Sequence, residues 1–177
     1  MGNFYCNFTT RGPSADEIAR VLNEHRRTAY VTPTHAGKTV VFDRAADELD
    51  PAEFDAVGTL LSRELTCPAL AAAVADDDEL WLVLYESGKR RVEYSSRGAN
   101  RGAYALSRAF GRPWMFPLVW VLLQWPYLIF ESWRHGLLAK ALGLPAWCVA
   151  TGYRYIERDE LPDGLTVTDL RRTGRDT

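Results

Sequence analysis

The chain has only three cysteines, two methionines and three histidines in 177 residues. Cys6, Cys67 and Cys148 are single, widely spaced and odd in number. No CxxC pair and no Cys/His cluster occurs, so neither a zinc site nor a disulfide framework is indicated. Also missing are GxSxG, HExxH, the dinucleotide-binding glycine fingerprint and the protein-kinase signatures. No cofactor and no catalytic residue is therefore expected. The opening Met-Gly-Asn-Phe-Tyr lacks a basic segment followed by an apolar one, so no signal peptide is expected. The myristoylation pattern fails as well, because Cys6 stands where it requires Ser or Thr. With thiols few and unpaired, a reducing cytoplasm is the expected compartment.

No charge sign dominates, since the formal net charge is −2. That excludes a global drive toward nucleic acid or anionic membrane. The distribution is uneven. Residues 1–86 carry 15 acids and 7 bases, and residues 87–177 carry 8 acids and 14 bases. Either two halves of one fold neutralise each other, or the second half offers a basic surface to an anionic partner. Lys89, Arg90, Arg91, Arg97 and Arg101 form the candidate anion patch, with Arg108 and Arg112 beyond it. Tyr94 and Tyr104 lie among these cations, the mixture that single-stranded nucleic acid binding uses.

Residues 1–95 alternate strand and helix signals. Phe4, Cys6 and Phe8 alternate along a first strand. Gly12-Pro13 breaks it, and Ser14 stands three residues before Glu17 as a capping box for a first helix. Short strands follow at 28–32 and 38–43. Asp50-Pro51-Ala52-Glu53 opens a second helix, with Asp50 as cap, Pro51 in the first turn and Glu53 completing the box. The run PALAAAVA from Pro68 suits a central strand, and strands at 80–86 and 91–94 make a hairpin. The order β-α-β-β-α-β, then β-β, predicts an α+β fold. It is the ferredoxin-like order extended by a hairpin, an antiparallel sheet with two helices on one face. A linker at 96–102 leads to a Trp-rich helical region, 103–160, packed on the sheet or on a partner. Residues 161–177 read as a loosely held polar tail.

Two short stretches invite chemistry and do not carry it. Gly37-Lys38-Thr39 ends like a phosphate-binding loop, but Thr32 stands where that motif needs its first Gly, and the segment reads as a hairpin turn. Asp76-Asp77-Asp78-Glu79 lacks the spaced oxygens, glycine and distal Glu of a calcium loop, and reads as a solvated turn.

The segment 135–158 has Ala139, Gly143 and Val149 at the spacings of a helix-turn-helix unit, and its RYIERDEL ending is similar to the close of some repressor recognition helices. It resembles that DNA-binding motif over about 20 residues, with Gly152 where the family places an aliphatic residue. A helix is expected from Pro145 to about Arg158, and the resemblance implies Thr151, Arg154, Tyr155 and Arg158 as its DNA contacts. The alternative is an αα-corner with Gly143 as C-cap and Pro145 starting the next helix.

The dominant feature is Pro113 to Trp147, which holds five of the six tryptophans. Between Pro113 and Phe130 the only side chain that is not apolar is Gln124. Such a run belongs in a core, in a partner or against a membrane. Eighteen residues reach roughly 27 Å as a helix, the minimum for a span, but Pro117 and Pro126 cut the run, so a span is not expected. A segment lying in the membrane interface stays open. Helices are expected at about 117–125 and 127–142. The candidate interface is Trp114, Met115, Trp120, Gln124 and Trp125, because Trp and Met favour the centres of protein interfaces.

These features together predict a cytoplasmic, bacterial-type, non-enzymatic binding protein acting as adaptor, regulator or immunity-type inhibitor. Its partner is another protein or a second copy of itself. The alternatives are a DNA-binding regulator using 135–158 and an enzyme with a cleft between the halves.

Overall fold

The computed structural model describes residues 2–98, 102–125 and 130–174. Its strands are β1 (Tyr5–Arg11), β2 (Ala29–Val31), β3 (Lys38–Asp43), β4 (Ala69–Ala75), β5 (Glu79–Glu86), β6 (Lys89–Ser95) and β7 (Arg171–Thr173). Its helices are α1 (Ala15–Glu24), α2 (Pro51–Glu64), α3 (Ala103–Ala109), α4 (Phe116–Gln124), α5 (Glu131–Leu142) and α6 (Tyr153–Glu157). The fold is α+β. All seven strands join one sheet in the order β6-β5-β4-β1-β3-β2-β7, antiparallel throughout.

Strand alternation explains how this sheet is covered on both sides. Cys6, Phe8, Val41, Ala71, Ala73 and Tyr85 point to the face that packs Ile18 and Leu22 of α1 and Val57 and Leu61 of α2. Tyr5, Val40, Phe42, Leu70, Leu82 and Leu84 point to the opposite face. There they pack Leu106 of α3, Val119 and Leu123 of α4, Leu138 and Leu142 of α5, and Ile156 of α6. The helical region thus shares a core with the sheet. Burial on both faces is what a strand such as ALAAAVA requires, since neither of its sides can face water cheaply.

The caps form where the sequence places them, with one exception. Ser14 and Glu17 make a reciprocal capping box on α1. Asp50 accepts from the Ala52 N–H at the start of α2, with Pro51 in the first turn. Glu53 does not close a box. It pairs instead with Arg27 at 2.7 Å, and Arg27 also grips the buried Asp43. A guanidinium held by two carboxylates outcompetes one exposed N–H.

The sheet is larger than the sequence predicts, because the tail is not uniformly loose. Arg171–Thr173 adds β7 to β2. The buried Thr173 hydroxyl accepts from the Ala29 N–H at 3.1 Å and donates to the Arg27 carbonyl at 2.9 Å. Gly174 N–H then reaches Asn23 Oδ1. Thr173→Val keeps the shape and removes every hydrogen bond of the hydroxyl. It is expected to cost about 1–2 kcal/mol in urea unfolding. An unchanged midpoint would show that the latch contributes nothing.

Candidate interaction surface

The surface is built on α4 and α5. Phe116-Pro117 starts α4, where the missing proline N–H has no intrahelical partner to lose. The helix stops at Trp125, whose ψ of 110° is extended, as the residue before Pro126 must be. The carbonyls orphaned by that stop are met by a buried arginine from α5. Arg134 donates Nη1 to Leu122 O at 2.5 Å and Nη2 to Trp125 O at 2.7 Å. Its Nε pairs with the Glu131 carboxylate at 2.8 Å. Burial pushes the Glu131 carboxyl up from its ordinary value, and the Arg134 hydrogen bond and charge pull against that rise.

Helix α5 is fixed at both ends. Its first amides, of Glu131 and Ser132, donate to the backbone carbonyl and the side chain of Asp77. It ends at Gly143, which sits in the left-handed region with φ of 66°. A side chain there would meet the Arg112 guanidinium, which donates to Lys140 O and Ala141 O at the helix end.

One side of each helix enters the core shared with the sheet, where α4 packs chiefly on α3 and α5, and the other side faces out. Helix α4 buries Val119, Leu122 and Leu123, and exposes Phe116, Leu118, Trp120 and Val121. Helix α5 exposes Trp133 and Leu137, with Phe130 just before it. Trp114 is 70% exposed, Trp133 61%, Trp120 54% and Trp125 47%. A shallow apolar groove of about 380 Å³ runs past Trp133, Gly136, Leu137 and Val149. Most of what the sequence reads as buried aromatic surface is therefore at the outside of the molecule.

Of the five candidate interface residues, Trp114, Trp120, Gln124 and Trp125 lie exposed on or beside α4. Met115 does not join them, since it is half-buried against the core under the helices. Sequence reasoning did not include Phe116, Leu118, Val121, Phe130, Trp133 and Leu137. The i, i+3, i+7 spacing of Phe130, Trp133 and Leu137 marks one helical stripe, but a stripe does not reveal whether it faces the core or the solvent. Trp147 is half-buried, with its ring against His35.

The candidate DNA residues are dispersed among other tasks. The single helix expected over 145–158 is replaced by a 3-10 turn at Ala146–Cys148, an irregular link with Ala150 in the left-handed region, and the five-residue α6. The cause is Asn7, whose buried Nδ2 donates to the carbonyls of Cys148 and Thr151 and so draws them out of any helical ladder. Gly152 also lies so close to Asp47 that a Cβ would meet Oδ1 at 2.4 Å. Thr151 is buried. Arg154 is bound by the buried Asp47, through its backbone N–H at 3.0 Å and its Nε at 3.1 Å. Tyr155 is half-buried, and its hydroxyl accepts from the Phe4 N–H. Arg158 is exposed.

The candidate anion patch is internally compensated. Arg90 is clamped by Asp55 and also pairs with Glu93. Arg91 lies 3.7 Å from Glu86, and Arg97 3.7 Å from Glu79. Lys89 is exposed on β6, and Arg101 lies outside the described residues.

One thiol does meet a histidine. Cys148 Sγ is 3.9 Å from His135 Nε2, and the Tyr5 hydroxyl is 2.8 Å from His135 Nδ1. All three side chains are buried. Burial pulls the His135 imidazole down to about 4 and pushes the Cys148 thiol up to about 12. A neutral imidazole beside a protonated, enclosed thiol is a packing arrangement, because a nucleophilic cysteine needs thiolate character and access. A cleft of about 330 Å³ lies on the opposite side, lined by Phe54, Trp81, Val83, Arg90 and Glu93, not between sheet and helical region. Among the described residues, no group of three or more His, Cys, Asp or Glu could hold a metal ion. No described helix is long and apolar enough to cross a membrane.

Comparison with known proteins returned no matching family model, no matching curated protein and no matching solved structure.

Proposed function

We propose that this chain is a non-enzymatic binding protein whose working surface is the outer side of α4 and α5. The observation that carries this is the exposure of Trp114, Trp120, Trp125 and Trp133 on adjoining elements, beside exposed Phe116, Leu118 and Leu137. Scattered apolar residues on a surface need no explanation, but a large contiguous aromatic patch does, because covering it releases about 25 cal/mol for each Å² removed from water. The helices are rigidly seated by Arg134, Asp77 and Arg112, so the patch is presented on a fixed frame. A reducing, cytoplasmic setting fits three buried, unpaired thiols. The ferredoxin-like reading of the first half is supported by the run β4-β1-β3-β2 within the sheet and by α1 and α2 on one face.

The test is the state of the tagged protein in a native cell extract that retains its membranes. Wild type is expected to run bound, away from the position of a free 20.0 kDa chain. The double variant Trp120→Ser, Trp133→Ser, shown folded by circular dichroism, is expected to run free. Wild type running as a free monomer in that extract would overturn the proposal.

A further inference from the structure

We propose that the α4 side of this surface docks on the headgroup boundary of an anionic lipid bilayer, with the helix lying in the plane of the membrane. This rests on the reading of α4 and α5 as the working face.

The first argument is composition. The outward side of α4 and its flanks carries Trp114, Phe116, Leu118, Trp120, Val121 and Trp125, with Gln124 as the one residue there that is not apolar. Protein interfaces place about one hydrogen bond in every 100–200 Å². This face offers almost nothing to bond with except indole N–H groups, which sit well at the level of lipid headgroups. At nine residues α4 reaches only about 13 Å, so it lies in the boundary and does not cross it.

The second argument is charge. From Arg97 to Leu142 the sequence has six cations and one acid, Glu131, which is buried against Arg134. Arg112 directly precedes Pro113-Trp114, and its contacts at the end of α5 place it beside Lys140. Behind it, Arg11 and Lys38 face each other across β1 and β3 on the helical side of the sheet. Arg11 donates to the Ala109 carbonyl at the end of α3. Lys38 is only 8% exposed, and burial with the nearby Arg112 and Arg11 charges lowers its pKa. No ion pair reaches Arg11, Lys38, Arg112 or Lys140 among the described residues. Three accessible cations without an ion pair, Arg11, Arg112 and Lys140, lie at the Trp114 end of the apolar face with the buried Lys38 behind them, and they complement an anionic surface. The exposed Asp76 and Asp78 lie at the opposite end, by the start of α5, so the positive charge that would meet the headgroups is concentrated beside Trp114.

The experiment is flotation and tryptophan emission of the purified chain with vesicles of phosphatidylcholine alone or mixed with phosphatidylglycerol. Wild type is expected to float with the mixed vesicles, to shift its emission to the blue, and to bind them roughly tenfold less tightly at high salt. Trp120→Ser should weaken binding to both compositions. Lys140→Glu, on an exposed side chain, should weaken only the phosphatidylglycerol arm, by about fivefold or more. Both variants must melt like wild type. Wild type remaining unfloated with both vesicles overturns the lipid assignment. If it still runs bound in extract after membranes are cleared, a soluble partner takes the surface and the binding-protein reading stands. If light scattering gives a dimer, the occupant is a second copy. Failure in vesicles, extract and light scattering removes both.

Discussion

Replacing Arg134 by methionine is expected to cost about 3–5 kcal/mol in urea unfolding at neutral pH. Methionine fills much of the volume, so the loss is not mainly a cavity. It comes from what the guanidinium leaves behind. Leu122 O and Trp125 O lose their donors, and the Glu131 carboxylate stays buried without its counter-charge. Glu131 already has a folded pKa above its ordinary value, with burial as the main cause and Arg134 opposing it. Without Arg134 it rises further. A carboxyl whose folded pKa exceeds its unfolded one holds an extra proton when folded, so stability falls as pH rises through that window. The deficit of Arg134→Met should therefore be smaller at about pH 5 than at about pH 8. Adding Glu131→Gln should restore part of it at neutral pH, because the stranded charge is gone. A loss below about 1 kcal/mol would mean that the pair is not the anchor of α4.

The second large effect is a loss of stability in mild acid traceable to His135. Its imidazole is buried, and its folded pKa is about 4 against an unfolded value of 6.5. Between those values the unfolded chain binds a proton that the folded chain refuses. The contribution is complete above about pH 6.5 and is lost as pH falls through about 4, a difference near 3 kcal/mol at 1.36 kcal/mol per unit. Asp55 and Asp77 have folded values below the ordinary carboxylate range, Asp55 chiefly through its Arg90 hydrogen bond, and Asp77 because burial, its largest single influence and an upward one, is outweighed by the combined hydrogen bonds with Ser132 and Asn3. Their contributions are lost further down the scale. Glu131 acts with the opposite sign and offsets part of the slope. His135→Asn keeps a polar group near the Tyr5 hydroxyl without a titrating ring. It should flatten stability between about pH 4 and 6.5. An unchanged slope in that variant would assign the acid loss to other groups.

Much of the sheet and the caps was legible in the chain because the causes are local. Alternation at Cys6 and Phe8, the Ser14–Glu17 box, Asp50-Pro51 and the stop at Gly143 depend on residues within a turn or two of one another, whereas Phe4, read on the same face, lies exposed before β1. Proline breaks were equally reliable: Pro126 stops α4 at Trp125. The failures involve partners far apart in sequence. Asn7 unwinds the expected helix at 149–152 from more than a hundred residues away. Thr173 becomes an edge strand only because β2 offers it an open ladder. Glu53 leaves its box for Arg27 because the fold brings that guanidinium within reach.

The interaction surface divides in the same way. That Pro113 to Phe130 is apolar, cut by two prolines and too broken for one spanning helix is a property of the chain itself. Hydrophobicity says only that the segment avoids water, and an apolar helix looks alike from every side. Which of its sides the sheet covers was decided by tertiary packing. Val119, Leu122 and Leu123 entered the core shared by the sheet, α3 and α5, Arg134 fastened the end, and Trp114, Trp120 and Trp125 were left outside because that core covers only one side of the helix.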